Sequence, residues 1–150
     1  MRGIGLEQFA PYLINRIAFL YNADMASALR ARGLTTAHMR ALAVLAVHPG
    51  ITVNELADYA VMEQSTMSRT LDQLVGAGLA TRRHRADDGR VREVLLTEKG
   101  ERAFDEVWPT MRSLEDKMFE GIAAEDRRCV LKALGIVLNA MRLGPRSPSS

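Results

Sequence analysis

The chain has 150 residues, 47% hydrophobic and 25% charged, which suits one compact domain and excludes global disorder or a collagen-like chain. A net charge of +2 excludes a uniformly cationic surface, so any anionic partner must be met by a local patch. No apolar run approaches the roughly 18 to 20 residues that cross a bilayer, no signal core precedes Glu7, and the lone Cys129 cannot build a disulfide framework; a cytoplasmic chain with no membrane partner is expected.

Ala, Leu, Arg and Met supply 63 residues, and all four favour helix. The first helix reads from Pro11 to Leu29, with Leu13, Ile17, Leu20 and Leu29 on one stripe and Gly33 as its stop. A second starts after Thr35 or Thr36 and ends before Pro49-Gly50. Thr52-Val53-Asn54-Glu55 is a capping box that opens a short helix, roughly Val53 to Tyr59. The connection Ala60-Val61-Met62 leads to a fourth helix, about Gln64 to Gly76, whose Met67, Leu71, Leu74 and Val75 share one face.

The period then shifts towards two. Leu79–Arg85 and Val91–Leu96 read as short strands, and the Asp88-Gly89 pair between them is a hairpin signal. Thr97 can start another helix running towards residue 120, with a kink expected at Trp108-Pro109. A last helix, about Glu125 to Arg142, lines up Val130, Leu131, Leu134, Val137, Leu138 and Met141, and residues 144–150 read as a disordered tail.

Three short helices, a longer one after a tight connection, then a basic hairpin is the order of a winged helix-turn-helix, whose second motif helix enters the major groove of DNA. On a wheel of about 100° per residue, Ser65, Arg69, Asp72 and Gly76 oppose the apolar stripe of the fourth helix, with Thr66 and Gln73 on one flank and Ser68 on the other. Hydroxyls, an amide and one Arg suit hydrogen bonding to base edges. Of the 20 basic residues 17 are Arg, a bias that genomic base composition explains as well as function does. Five of them, Arg82, Arg83, Arg85, Arg90 and Arg92, bracket the hairpin turn. Arg90 is the wing-tip candidate for a narrow minor groove. Asp87 and Asp88 repel phosphate, so their expected work is to brace an Arg or the turn backbone.

No catalytic or metal signature appears. His38, His48 and His84 lack metal-ligand spacing, Cys129 has no neighbouring Cys, and there is no nucleophile elbow or phosphate-binding glycine loop. An enzyme, a metal site and a cofactor are therefore not expected.

Glu55-Leu56-Ala57, Ser65-Thr66-Met67-Ser68-Arg69, Gly78-Leu79, Asp88-Gly89-Arg90 and Leu96-Thr97-x-x-Gly100 together resemble the MarR family of bacterial transcriptional regulators, over about residues 6–142. The resemblance implies a mainly α fold with a small two- to three-stranded β wing, a winged helix-turn-helix with terminal dimerisation helices. It divides the chain into a dimerisation helix (1–34), a DNA-binding domain (35–98) and C-terminal dimerisation helices (99–143). It implies a repressor that reads a pseudo-palindromic operator in double-stranded DNA as a homodimer. The apolar stripes of the first and last helices independently ask for a second copy. Gln64, Ser65, Thr66, Ser68, Arg69 and Gln73 are the expected major-groove residues, with Arg83, Arg85, Asp88 and Arg90 on the wing. The resemblance further implies a small phenolic or anionic effector, with Asn15, Arg16, His38, Met39 and Arg40 as the pocket candidates. The family often has Gly in the helix-turn-helix connection where this chain has Val61, which must avoid positive φ or accept strain. The alternative reading is a winged-helix module whose Arg hairpin docks on an acidic protein.

Overall fold

Local capping signals place the helices of the computed structural model, which describes residues 5–143. A 3-10 turn at Leu6–Gln8 precedes α1 (Ala10–Arg30), which carries Pro11 in its first turn. The Thr35 hydroxyl accepts the His38 N–H at 3.1 Å and starts α2 (Thr36–Val47). The Thr52 hydroxyl accepts from Glu55 N–H, and the Glu55 carboxylate accepts the Thr52 N–H at 2.8 Å, opening α3 (Val53–Tyr59). That backbone bond, then the Thr52 hydroxyl, hold the Glu55 carboxyl below the ordinary carboxylate range. The stabilisation is therefore present above that range and is lost as acid titrates the depressed group. After α4 (Gln64–Gly76) come β1 (Ala80–His84), β2 (Arg92–Leu96), α5 (Glu98–Met118) and α6 (Ala124–Leu143). No helix among the described residues is long and apolar enough to cross a membrane.

The anticipated elements form. The strands pair antiparallel with Ala80 opposite Leu96 and His84 opposite Arg92, and Ile51 bridges Val94 as a fragment of a third strand. The hairpin around Asp88-Gly89 forms, its connection running through residues 85–91, one residue longer at each end than expected, and Gly89 is not among the positive-φ residues. Pro109, where a kink was expected, lies inside α5, which runs through it as one element. The expected tail, 144–150, lies outside the described residues.

Val61 accepts the strain. Its φ is 55°, because Met62 N–H bonds to Ala57 O at 3.0 Å and Val61 N–H to Asp58 O at 3.2 Å, a helix ending that puts its middle residue in the left-handed region. A β-branched residue there costs about 1–2 kcal/mol, and Val61 is 82% exposed, so its side chain returns little burial. Val61→Gly should raise stability by about 1 kcal/mol after the glycine entropy term is subtracted, read from urea unfolding midpoints.

Residues up to Leu114 make one compact unit and those from Glu115 a second. The first holds two apolar clusters. Leu42, Leu45, Leu56, Met67, Leu71 and Leu74 are fully buried where α2, α3 and α4 meet, with Val94 of β2 against them. Met25 and Leu29 of α1 pack with Met39 of α2 and Val107 and Met111 of α5. On the outside of this unit Phe9, Leu13, Ile17, Phe19 and Leu20 are exposed.

The second unit is organised around Arg127, whose guanidinium pairs with Asp116 at 2.8 Å and Glu115 at 3.0 Å and lies 5.0 Å from the Phe119 ring centre. Those hydrogen bonds, Asp116 first, hold Arg127 more firmly in its charged form. Along α6, Val130, Leu131, Leu134, Val137, Leu138 and Met141 are exposed.

Candidate nucleic-acid interface

The core stripe of α4 decides what its other side presents. Met67, Thr70, Leu71 and Leu74 are buried, and the hydroxyl of Thr70 is satisfied by the Thr66 carbonyl at 2.9 Å. Ser65, Thr66, Arg69, Asp72 and Gln73 are exposed, and Ser68 is half-buried. No side chain caps the start of α4, so its first amides are free to meet an anion. Gln64, at that end, donates from Nε2 to Asn54 Oδ1 of α3, tying the two motif helices together. Gln73, near the other end, receives His38 Nε2 on its Oε1 at 2.8 Å.

The wing divides its arginines into two groups. Arg83 and Glu93 are cross-strand partners, and Arg83 Nε donates to the carboxylate of Glu93, which is only 8% exposed. Arg85 stands 3.7 Å from the same carboxylate and donates to the Gly50 carbonyl at 3.2 Å. Arg82 pairs with Asp72 of α4 at 2.8 Å, neutralising the one acid on the polar face and joining the wing base to that helix. Arg83 and Arg85, expected on the DNA side, are thus also held by protein groups.

The tip differs. Asp88 Oδ1 accepts the Arg90 N–H at 3.0 Å, its carbonyl accepts the Val91 N–H at 3.0 Å, and His84 Nδ1–H donates to Gly89 O at 2.7 Å. Asp88 therefore acts on the turn backbone and leaves the Arg90 guanidinium alone. Among the described residues no ion pair holds Arg69, Arg90 or Arg92. One unpaired cation on the helix and two on the wing remain for an external anion.

A cavity of about 300 Å³ lies between α1, α2 and α5, lined by Tyr21, Asn22, Met25, Met39, Arg40 and Trp108 among others. Arg40 donates to Asn22 Oδ1 at 2.8 Å and has no carboxylate partner among the described residues. The cavity is mostly apolar with one cation, which suits a planar anion. Of the expected pocket residues, Met39 and Arg40 line it; Asn15 and Arg16 sit exposed on α1, and His38 turns to Gln73. Asn22 and Trp108 carry no local motif and are placed there only by the fold. A second cleft, about 380 Å³, between α2, β2 and α5 is rimmed by Glu101 and Asp105 and would repel an anion.

This architecture has known counterparts. A sequence profile described as the MarR family matches residues 32–91. A MarR-family transcriptional regulator from Silicibacter pomeroyi is 42% identical, with 97% of this chain and 99% of that chain covered and a TM-score of 0.85. The transcriptional repressor MdtR of Bacillus subtilis is 26% identical over 103 residues, 69% of this chain and 66% of that protein's length. CouR from Rhodococcus jostii, solved with p-coumaroyl-CoA, is 20% identical, covers 97% of this chain and 99% of its own, and has a TM-score of 0.81; CouR solved on a 23-mer DNA duplex gives 23% identity, 92% and 98% coverage and a TM-score of 0.73. With its capped helix-turn-helix, braced wing and this likeness along nearly the whole length of the Silicibacter regulator, the chain belongs to the MarR family of transcriptional regulators.

Proposed function

We propose that the chain is a cytoplasmic, homodimeric repressor that reads a pseudo-palindromic operator in double-stranded DNA and is released by a small anionic effector. The observation that carries DNA reading is the exposed polar face of α4, with Arg69 unpaired, beside a wing tip whose Arg90 is also unpaired. Ser65, Thr66, Ser68 and Arg69 take the base edges, Gln64 and Gln73 flank them, and Arg90 enters the minor groove. Arg83, Arg85 and Asp88 serve the wing by holding its shape. Two copies supply two reading heads, and the exposed apolar residues of α1 and of α6 are the surfaces that a second copy covers.

Selection of bound fragments from random duplex DNA tests this reading. An inverted repeat should emerge, with half-sites about one helical turn, 10 to 10.5 base pairs, apart. Recovery of unrelated sequences, or of none, would contradict it.

The effector reading rests on the Arg40 cavity, and it is supported by the structures of Rhodococcus jostii CouR with p-coumaroyl-CoA and of a repressor named CouR on DNA. Salicylate, a planar anion small enough for the cavity, should weaken operator binding by the wild-type chain. Arg40→Ala should lose that response by roughly tenfold in salicylate affinity, since a charge-assisted bond contributes about 1.5 kcal/mol or more. Calorimetry of salicylate binding without DNA reads it, and equal affinity for both proteins would move the effector elsewhere.

A further inference from the structure

The hydrogen bonds around His38 determine which end of the Gln73 amide faces outward. Thr35 N–H points at His38 Nδ1 at 3.3 Å, and a backbone amide can only donate. Nδ1 must therefore carry the lone pair, and the neutral ring holds its proton on Nε2. Nε2–H donates, so the Gln73 atom 2.8 Å from it is the carbonyl oxygen, and the NH₂ of Gln73 is turned away from His38. A capping interaction at the start of α2 thus orients, through one imidazole, an exposed side chain on the flank of the recognition face.

We propose that His38 is a positioning residue that fixes Gln73 as a hydrogen-bond donor towards DNA. The inference rests on the DNA-binding reading above. A glutamine that recognises adenine uses both halves of its amide, the oxygen accepting from N6 and the nitrogen donating to N7. With its oxygen turned to His38, Gln73 directs its N–H groups outward and selects an acceptor: guanine O6 or N7, or thymine O4, on the base edge, or a phosphate oxygen beside it. Adenine still offers N7 to that N–H but loses the bond from N6 to the engaged oxygen, so it has no bidentate advantage at that position.

The test measures, by fluorescence anisotropy, binding to the selected duplex and to every single-base-pair substitution of it. The proteins are wild type, Gln73→Ala, His38→Ala and His38→Glu, each checked for folding by circular dichroism. Wild type should prefer guanine or thymine at one position per half-site, and Gln73→Ala should erase that preference, a change of roughly tenfold. His38→Ala should let the amide turn and admit adenine there. His38→Glu keeps the capping box, since Glu is its usual third residue, but offers Gln73 an acceptor in place of a donor. The amide should then reverse, present its oxygen and shift the preference towards cytosine or adenine, whose exocyclic amines donate. A merely structural His38 would not produce that reversal. Uniform weakening on all duplexes by both Gln73→Ala and His38→Ala identifies the acceptor as phosphate and supports the donor role. An adenine preference in the wild type that depends on Gln73 overturns the proposal. So does a Gln73-dependent effect that both His38 variants leave intact, or a Gln73→Ala protein indistinguishable from wild type. Wild-type protein that binds no duplex defeats the DNA reading itself, whereas these other outcomes defeat only the role given to His38.

Discussion

Gly100→Ala should destabilise the protein by about 3 kcal/mol, the sum of overpacking and a lost helix cap. A Cβ on Gly100 would lie 1.9 Å from the Leu79 carbonyl oxygen and 2.9 Å from its carbon, both backbone atoms that cannot swing aside. The same spot is stitched by three hydrogen bonds: Thr97 N–H to Leu79 O at 3.1 Å, Thr97 hydroxyl to Gly78 O at 2.6 Å, and Gly100 N–H to the Thr97 hydroxyl at 3.1 Å. Making room for a methyl group means backing the first turn of α5 away from the entrance to β1, which breaks that stitching. Gly76→Ala is the control, because nothing lies within 4 Å of its added carbon. Urea unfolding should show a much lower midpoint for Gly100→Ala at unchanged slope and a near-native midpoint for Gly76→Ala. Equal midpoints would mean that this close approach does not exist in solution.

Arg69→Ala combined with Arg90→Ala should cost operator affinity on the order of 10²-fold or more, at about 1–3 kcal/mol for each lost contact, with little change in melting temperature. Stability should hold because neither guanidinium has an ion-pair partner within the described chain. The single variants should differ in kind. Arg69→Ala should blur discrimination between duplexes, because its side chain stands on the polar face of α4, whereas Arg90→Ala should mainly lower affinity and flatten the salt dependence. Arg83→Ala is the opposite case: it strips a partner from the buried Glu93 carboxylate, so melting temperature should fall. Unchanged affinity in the double variant would remove the helix face and the wing tip from the interface.

Much of this was legible in the residues. The cap at Thr35 or Thr36, the capping box at Thr52, the core stripe of α4 and the turn to strand periodicity after Gly78 are local patterns, and local hydrogen bonds realise them. The pairing of Arg83 with Glu93 was also within reach, since a hairpin centred on Asp88 puts those two positions opposite each other. Reading the Arg cluster as one cationic patch obscured it. Other features had no local signal. The link from Arg82 to Asp72 depends on how the hairpin folds back on α4, and the meeting of Asn22, Arg40 and Trp108 depends on three helices packing. His38 shows the same limit: its place three residues after Thr35 suggests a cap, but only the packing of α2 on α4 brings Gln73 to its other nitrogen.

The most direct measurement of the central claim is the ratio of dissociation constants for the selected inverted repeat and for a scrambled duplex of equal length and composition, at physiological salt. A molecule that reads bases with the polar face of α4 should favour the repeat by roughly 10³-fold or more. Equal affinity for both duplexes would show that it holds only the phosphate backbone, and would contradict the account.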